Sequence, residues 1–284
     1  DGLVEAMSEA VAETDDALME KFFGGEAFTT EEIVEGMRIG VKSGVITPVF
    51  CGSALNLQAL DMLLYNMEKL LPSPHLEAFA AEDKDGNPVE LPCEPGDPTA
   101  VLVFKTVADP FVGKMSYVKV ASGKLTAASS LVNSRTGEPE RMGKLVSVRG
   151  KKQTDVTEIT AGDIGVITKL ATAKTGDTLC DPARVVSLPT AAFPNPTLSM
   201  ALKVAKKGDE GKIGAALARL MEEDPTINFR VDGETGQQLL SGLGEQHLDV
   251  VCARLKAKFG VDVTLTTPRV AYRESVRKKC KAQG

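Results

Sequence analysis

Between Glu222 and Thr267 the hydrophobic period of the chain changes twice. Two short alternating runs, 227–232 and 237–241, flank the turn Gly233-Glu234-Thr235-Gly236. Alternation at period 2 puts one set of side chains on one face of a strand, so the pair reads as a hairpin. Leu248, Val251, Cys252, Leu255 and Phe259 then recur at helical spacing and share one face of a helix over about 245–259. A last alternating run covers 261–267, and upstream 197–205 reads as a strand and 209–223 as a helix. The order strand, helix, strand, strand, helix, strand is the split βαβ arrangement of a ferredoxin-like α+β sandwich. Phe193-Pro194-Asn195-Pro196 precedes it as a stiff linker.

From Thr99 to about Leu188 no helical period occurs. Alternating runs stand at 100–107, 115–120, 145–148 and 164–167, broken by turn signals at Ser122-Gly123, Thr136-Gly137, Ala161-Gly162-Asp163 and Thr175-Gly176-Asp177. Short strands at that spacing predict an antiparallel β-barrel.

The first part of the chain is α/β in pattern. Leu3, Met7, Ala10, Val11, Thr14, Leu18 and Phe22 predict one amphipathic helix over 3–23. Thr29 with Glu32 three residues on is a capping-box signature for a second helix reaching Val41. Val45–Cys51 reads as a short buried strand, Gly52-Ser53-Ala54-Leu55 as the loop leaving its C-terminal end, and 57–71 as a helix stopped by Pro72-Ser73-Pro74. Residues 75–97 are acidic and rich in Pro and Gly, a linker with a hairpin at Asp85-Gly86-Asn87-Pro88.

Charge divides the chain in the same place. Residues 1–97 hold 20 Asp/Glu against 5 Lys/Arg, and residues 98–284 hold 19 against 28. A polyanionic partner is therefore expected to meet the second part, with a solvated charged surface as the bland alternative. The five cysteines are scattered without a Cys-x-x-Cys pair, and the chain has two His, so neither a metal site nor a disulfide framework is expected. Reduced thiols in the cytoplasm are the simplest reading, with Cys51 and Cys252 as small core residues. No apolar run reaches the roughly 18 residues of a membrane span, and no signal-peptide pattern opens the chain. The first residue is Asp1 rather than Met, which reads as a piece of a longer protein.

Several short motifs, in order, carry a resemblance. They are Phe50-Cys51-Gly52-Ser53-Ala54-Leu55, Asp109-Pro110-Phe111-Val112-Gly113-Lys114 and Ser122-Gly123-Lys124-Leu125. Ala161-Gly162-Asp163-Ile164, Thr175-Gly176-Asp177-Thr178-Leu179-Cys180, Glu223-Asp224-Pro225-Thr226 and Ser241-Gly242-Leu243-Gly244-Glu245-Gln246-His247-Leu248 follow, and Pro268-Arg269-Val270-Ala271-Tyr272-Arg273-Glu274 comes last. Any one is weak, but together they resemble bacterial elongation factor G, the GTPase of ribosomal translocation, over nearly the whole chain. The resemblance implies that 1–75 is the C-terminal part of a GTPase domain and its insert, and 76–98 a linker. It makes 99–190 a β-barrel second domain, 196–268 a ferredoxin-like third domain and 269–284 the start of a fourth. Thr126-Ala127-Ala128-Ser129 stands in place of a Pro-Gly-Asp type turn, the loop after Leu55 lacks Lys-Asn-Lys-Gly, and Gln246 replaces a Leu. These departures point to a divergent paralogue.

What the resemblance implies about sites is limited by what the sequence lacks. It contains no Gly-x-x-x-x-Gly-Lys-Ser/Thr phosphate loop and no Asn-Lys-x-Asp guanine reader. GTP and Mg²⁺ belong to the parent protein, no cofactor is expected in this chain, and no catalytic residue is assigned. Ser53, Ala54 and Leu55 match the guanine side of the nucleotide site, or are a plain strand-to-helix turn. Arg141, Lys144, Arg149, Lys151 and Lys152 form the densest basic stretch of the barrel region, which fits contact with ribosomal RNA through phosphates or a solvated strand edge. Arg277-Lys278-Lys279 is equally basic. His247 is either a residue of a domain interface or a partly buried histidine at a helix start. The expected partner is the ribosome, with the chain a monomer and no membrane. Two rivals stay open: a ribosome-protection or release-type GTPase, and a stand-alone RNA-binding module without enzymatic activity.

Overall fold

The computed structural model describes residues 2–109, 112–206, 208–275, 278, 281 and 282. Pro110 and Phe111 of one motif, Cys280, and Arg277 and Lys279 of the basic tail lie outside the described residues. The chain divides into two compact units, Asp1–Leu76 and Glu77–Gly284.

The first unit carries helices α1 (Gly2–Ala12), α2 (Asp16–Phe23), α3 (Thr30–Ser43) and α4 (Leu60–Leu70). The single helix expected over 3–23 is therefore two. Thr14 Oγ1 donates to the Val11 carbonyl at 2.7 Å, and the Asp15 carboxylate accepts from the Ala17 and Leu18 N–H groups at 3.0 and 3.3 Å. A side chain that caps a new helix competes with continuing the old one. The Thr29–Glu32 capping box forms as the sequence predicts, and α3 ends on left-handed Gly44. Val45–Cys51 is not a buried strand. Val45, Val49 and Phe50 are 65%, 85% and 42% exposed. A strand is held by ladder partners, and among the described residues the unit contains only the isolated bridge between Ser53 and Gln58. Left-handed backbone at Leu57 and Ala59 delays α4 to Leu60.

The second unit begins with the hairpin β1 (Phe79–Asp83) and β2 (Pro88–Leu91). The Asp83 carboxylate accepts from the Asp85 and Asn87 N–H groups, each at 2.9 Å, and so shapes the expected turn. The hairpin packs into a core shared with the strands that follow, Ala81 and Leu91 lying with Ala100, Ala121, Cys180, Val186 and Leu188.

Eleven strands follow: β3 (Ala100–Asp109), β4 (Gly113–Ser122), β5 (Lys124–Thr126), β6 (Ser130–Asn133), β7 (Pro139–Arg141), β8 (Leu145–Arg149), β9 (Lys152–Asp155), β10 (Glu158–Thr160), β11 (Ile164–Thr168), β12 (Thr178–Cys180) and β13 (Val186–Ser187). Their main sheet has the order β7-β6-β12-β3-β4-β11-β8-β9, β10 pairs with β5, and β13 joins β1. All pairings are antiparallel. One interior cluster draws Val101, Val118, Leu131, Leu145, Ile167 and Leu179 from six strands of the sheet, which is the packing of a barrel.

The ferredoxin-like part is β14 (Leu198–Val204), α5 (Glu210–Glu223), β15 (Asn228–Val231), β16 (Gln238–Gly242), α6 (Glu245–Phe259) and β17 (Val263–Thr266). The sheet order is β15-β16-β14-β17, all antiparallel. Leu248, Val251 and Leu255 of α6 are buried with Ile213, Leu217 and Leu220 of α5, as the spacing predicts.

The described cysteines are thiols. Cys51 is exposed, contrary to its expected place in a core, because the segment that carries it has no strand to pair with. Cys252 is half-buried against the α5–α6 core. Burial pushes the Cys93, Cys180 and Cys252 thiols up from their ordinary pKa, which keeps them protonated at neutral pH. Reductant is expected to leave the melting temperature unchanged. A disulfide contributes about 2–4 kcal/mol, so a fall of several degrees on reduction would reveal one.

Candidate nucleic-acid interface

The basic residues of the barrel are set by one hairpin. Leu145 faces the barrel interior, while Val146 and Val148 face a second cluster with Met115 and Val166. Period-2 alternation is thus buried on both faces, and β8 is fixed in register. It pairs with β9 through Val146↔Asp155, Ser147↔Thr154, Val148↔Gln153 and Arg149↔Lys152. Only Gly150 and Lys151 remain between the strands, and Gly150 takes φ 59°, the conformation a two-residue hairpin loop requires. Arg149, Lys151 and Lys152 therefore share the tip.

All three tip cations are exposed, and no ion pair holds any of them among the described residues. Lys144 differs, since its Nζ lies 2.8 Å from the Asp155 carboxylate. Arg141 is exposed on β7, at the other end of the strand order from β9. The five cations of the basic stretch thus resolve into a tip of three, one neutralised Lys and one separate Arg. β9 is an edge strand with all four residues exposed and none apolar. Three long, exposed cations on a hairpin tip suit phosphate oxygens, which need charge and reach rather than a shaped pocket.

His247 opens α6 and bridges two loops. Its Nδ1 accepts the Leu243 N–H at 3.1 Å, so its neutral form carries the proton on Nε2, which lies 3.0 Å from the Asp224 carboxylate. Burial pushes the Asp224 carboxyl up, but hydrogen bonds from the Thr226 hydroxyl and N–H and from His247 outweigh it and hold the group below its ordinary range. This ties the start of α6 to the turn after α5. The two residues stand too far apart in sequence for any periodicity to pair them, although both lie in quoted motifs.

A second link joins the barrel to the ferredoxin-like part. Glu223, at the end of α5, accepts the Ala108 N–H of β3 at 2.7 Å and Lys258 Nζ of α6 at 2.7 Å. Its side chain is 9% exposed. One carboxylate thus holds a barrel strand and both helices. Glu223 opens the quoted Glu223-Asp224-Pro225-Thr226 motif, but its hydrophobic pattern gives no sign of a barrel partner.

In the first unit, Ser53 N–H donates to the Gln58 carbonyl at 3.2 Å, and Gln58 N–H returns to the Ser53 carbonyl at 3.1 Å. Ser53 Oγ accepts the Asn56 N–H at 3.3 Å. The loop is closed on itself, Ala54 is exposed and Leu55 is 97% exposed.

An antiparallel barrel followed by a ferredoxin-like sandwich, linked through a shared carboxylate, is the arrangement that the resemblance to a translation factor implies. Comparison with known families agrees: residues 98–182 match elongation factor G domain 2, and residues 193–267 match elongation factor G domain III. Together these matches span more than half of the chain, and the chain belongs to the elongation factor G family. A crystal structure of a protein from Thermus thermophilus superposes with a TM-score of 0.72 at 31% sequence identity, over 92% of this chain. The chain spans 37% of the length of that relative. Among the described residues no helix is long and apolar enough to cross a membrane.

Proposed function

We infer that this chain is the relay part of an elongation-factor-G-like translational GTPase acting in ribosomal translocation in the cytoplasm. The two family domains in order, built as barrel and ferredoxin-like sandwich, carry this reading. GTP and Mg²⁺ are held by other parts of the parent protein, since no phosphate loop occurs in this sequence and the Ser53 N–H is already bonded within its own loop. The chain acts as a monomer on the ribosome. Its barrel touches ribosomal RNA with Arg149, Lys151 and Lys152, while Lys144, paired with Asp155, and the separate Arg141 contribute less. His247 and Asp224 keep the ferredoxin-like part rigid where it meets its neighbours, and Glu223 transmits its movement to the barrel.

Ribosome co-sedimentation tests the contact. Each lost phosphate contact lowers the slope of log K against log salt by roughly one unit. Arg149→Glu, Lys151→Glu and Lys152→Glu together are expected to weaken binding and flatten that slope by about three units. Surface changes of this kind cost within about 0.5 kcal/mol of stability each, and far-UV circular dichroism checks the fold. Unchanged binding by the folded triple variant removes the hairpin tip from the interface.

A further inference from the structure

The strand β14 is longer than its neighbour on one side. Toward β16 it is paired at Leu198, Ser199, Met200 and Ala201. Toward β17 it is paired only from Ala201 to Val204. Over Leu198–Met200 that second edge has no strand partner among the described residues. The chain itself leaves this track. Pro268 follows two residues after β17 and has no N–H to give a ladder. Arg269 N–H instead donates to Gln237 Oε1 at 2.6 Å, ahead of β16.

Beside the open edge lies a cavity of about 440 Å³ between the sheet and α6. Leu198, Met200 and Leu265 line it from the sheet and Cys252 from the helix. Glu245 and Asp249 stand on the helix side, exposed, and no cation is among the lining residues. Neither carboxylate is in an ion pair among the described residues. An unpaired strand edge is a template for another strand. Here it adjoins apolar surface and two uncompensated negative charges.

We propose that the β14 edge at Leu198–Met200, with the groove under α6, docks an extended segment of a partner protein whose groove-facing side, made by every second residue, carries both apolar and basic side chains. Backbone hydrogen bonds to the edge supply affinity, apolar side chains enter the groove, and Lys or Arg meets Glu245 and Asp249. A second copy of this chain suits the site less well. Its free β9 edge carries no apolar residue, and its β15 edge offers one cation, Arg230, lying 3.8 Å from its own Asp232.

The test uses the full chain and the synthetic peptide Val-Thr-Val-Thr-Lys-Thr-Lys, whose valines and lysines fall on one face of a strand. Amide chemical shifts report the edge, and the alkylation rate of Cys252 reports the groove. The expected result is saturable binding that shifts Leu198, Ser199 and Met200 and slows alkylation of Cys252. Glu245→Lys with Asp249→Lys is expected to weaken binding by about tenfold or more. A peptide N-methylated on alternate residues, which keeps charge and side chains but loses one hydrogen-bonding edge, is expected not to bind. The triple Glu variant of the β8–β9 tip is expected to bind the peptide unchanged, so this result is independent of ribosome contact. Equal binding of the N-methylated peptide, or of Val-Thr-Val-Thr-Glu-Thr-Glu, overturns the proposal. So does a shift pattern centred on β9 or β15, or a dimer that buries the Leu198–Met200 edge without any peptide.

Discussion

Gly123→Ala is expected to destabilise the barrel by about 2–5 kcal/mol, the sum of a left-handed backbone penalty and overpacking. Gly123 has φ +77°, a conformation that L side chains rarely adopt, and an added Cβ would stand 2.6 Å from the Asp97 carbonyl oxygen and 2.7 Å from Thr99 Cα. These are backbone atoms of the segment entering β3, so they yield only if that segment moves. The site is pinned from both sides, since Gly123 N–H donates to the Glu94 carbonyl and the Gly123 carbonyl accepts the Ala161 N–H, each at 2.9 Å. Gly137→Ala is the control. Its φ is +72°, and an added Cβ meets nothing within 4 Å. That variant should lose only the backbone term, about 1–2 kcal/mol. Hydrogen exchange of barrel amides during urea unfolding separates the barrel from the other domains. Equal losses in the two variants would show that crowding at Gly123 is not the cause.

The Ser122-Gly123 turn is readable because a glycine between two alternating runs is itself the signal. The same holds for the long strands β3, β4, β8 and β11 and for the six elements of the ferredoxin-like part. Each is long enough for its period to be expressed. The strands that leave no such pattern are short. β5, β7, β10 and β12 have three residues each, too few to alternate, and β9 contains no apolar residue at all. The opposite error occurs at Val45–Cys51. Its apolar residues fit a strand, but strand formation depends on a neighbouring ladder, which a local pattern cannot supply.

The candidate interface is readable in the same uneven way. Its cations are a matter of composition, and the sequence shows them directly. Which of them remain unneutralised depends on register. The β8–β9 pairing carries Asp155 back to the foot of the hairpin, where it meets Lys144, while Arg149, Lys151 and Lys152 are left at the tip. Glu223 reaches Ala108 only because α5 packs beside β3, a tertiary fact with no local trace.

Asp177 is the clearest case of a structural carboxylate hidden in a turn signal, and its loss is expected to have the largest effect on acid stability. Its side chain is 5% exposed. It accepts Asn133 Nδ2 at 2.7 Å, Arg135 Nε and an Arg135 terminal nitrogen at 2.7 and 2.8 Å, and the Lys174 N–H at 2.9 Å. Burial alone would raise its pKa, but the hydrogen bonds from Arg135, Lys174 and Asn133 outweigh burial and hold the carboxyl below its ordinary value. A carboxylate depressed in the folded state contributes stability that is fully present above the unfolded pKa, near 3.9. That stability is lost as pH falls through the lower folded value. Asp177→Ala is expected to cost about 3–5 kcal/mol at neutral pH, because it strands the buried Asn133 amide and removes the counter-charge of Arg135. Arg135 is half exposed, so solvent screens its share and Asn133 carries more of the loss. Asp177→Asn keeps one acceptor oxygen and should cost less, while removing the acid-labile contribution. Urea titrations of the barrel transition at neutral pH and across the acid range distinguish the two effects. The wild type should lose stability toward low pH more steeply than Asp177→Asn. Parallel acid limbs would show that the network stabilises the barrel by shape and hydrogen bonding without its charge.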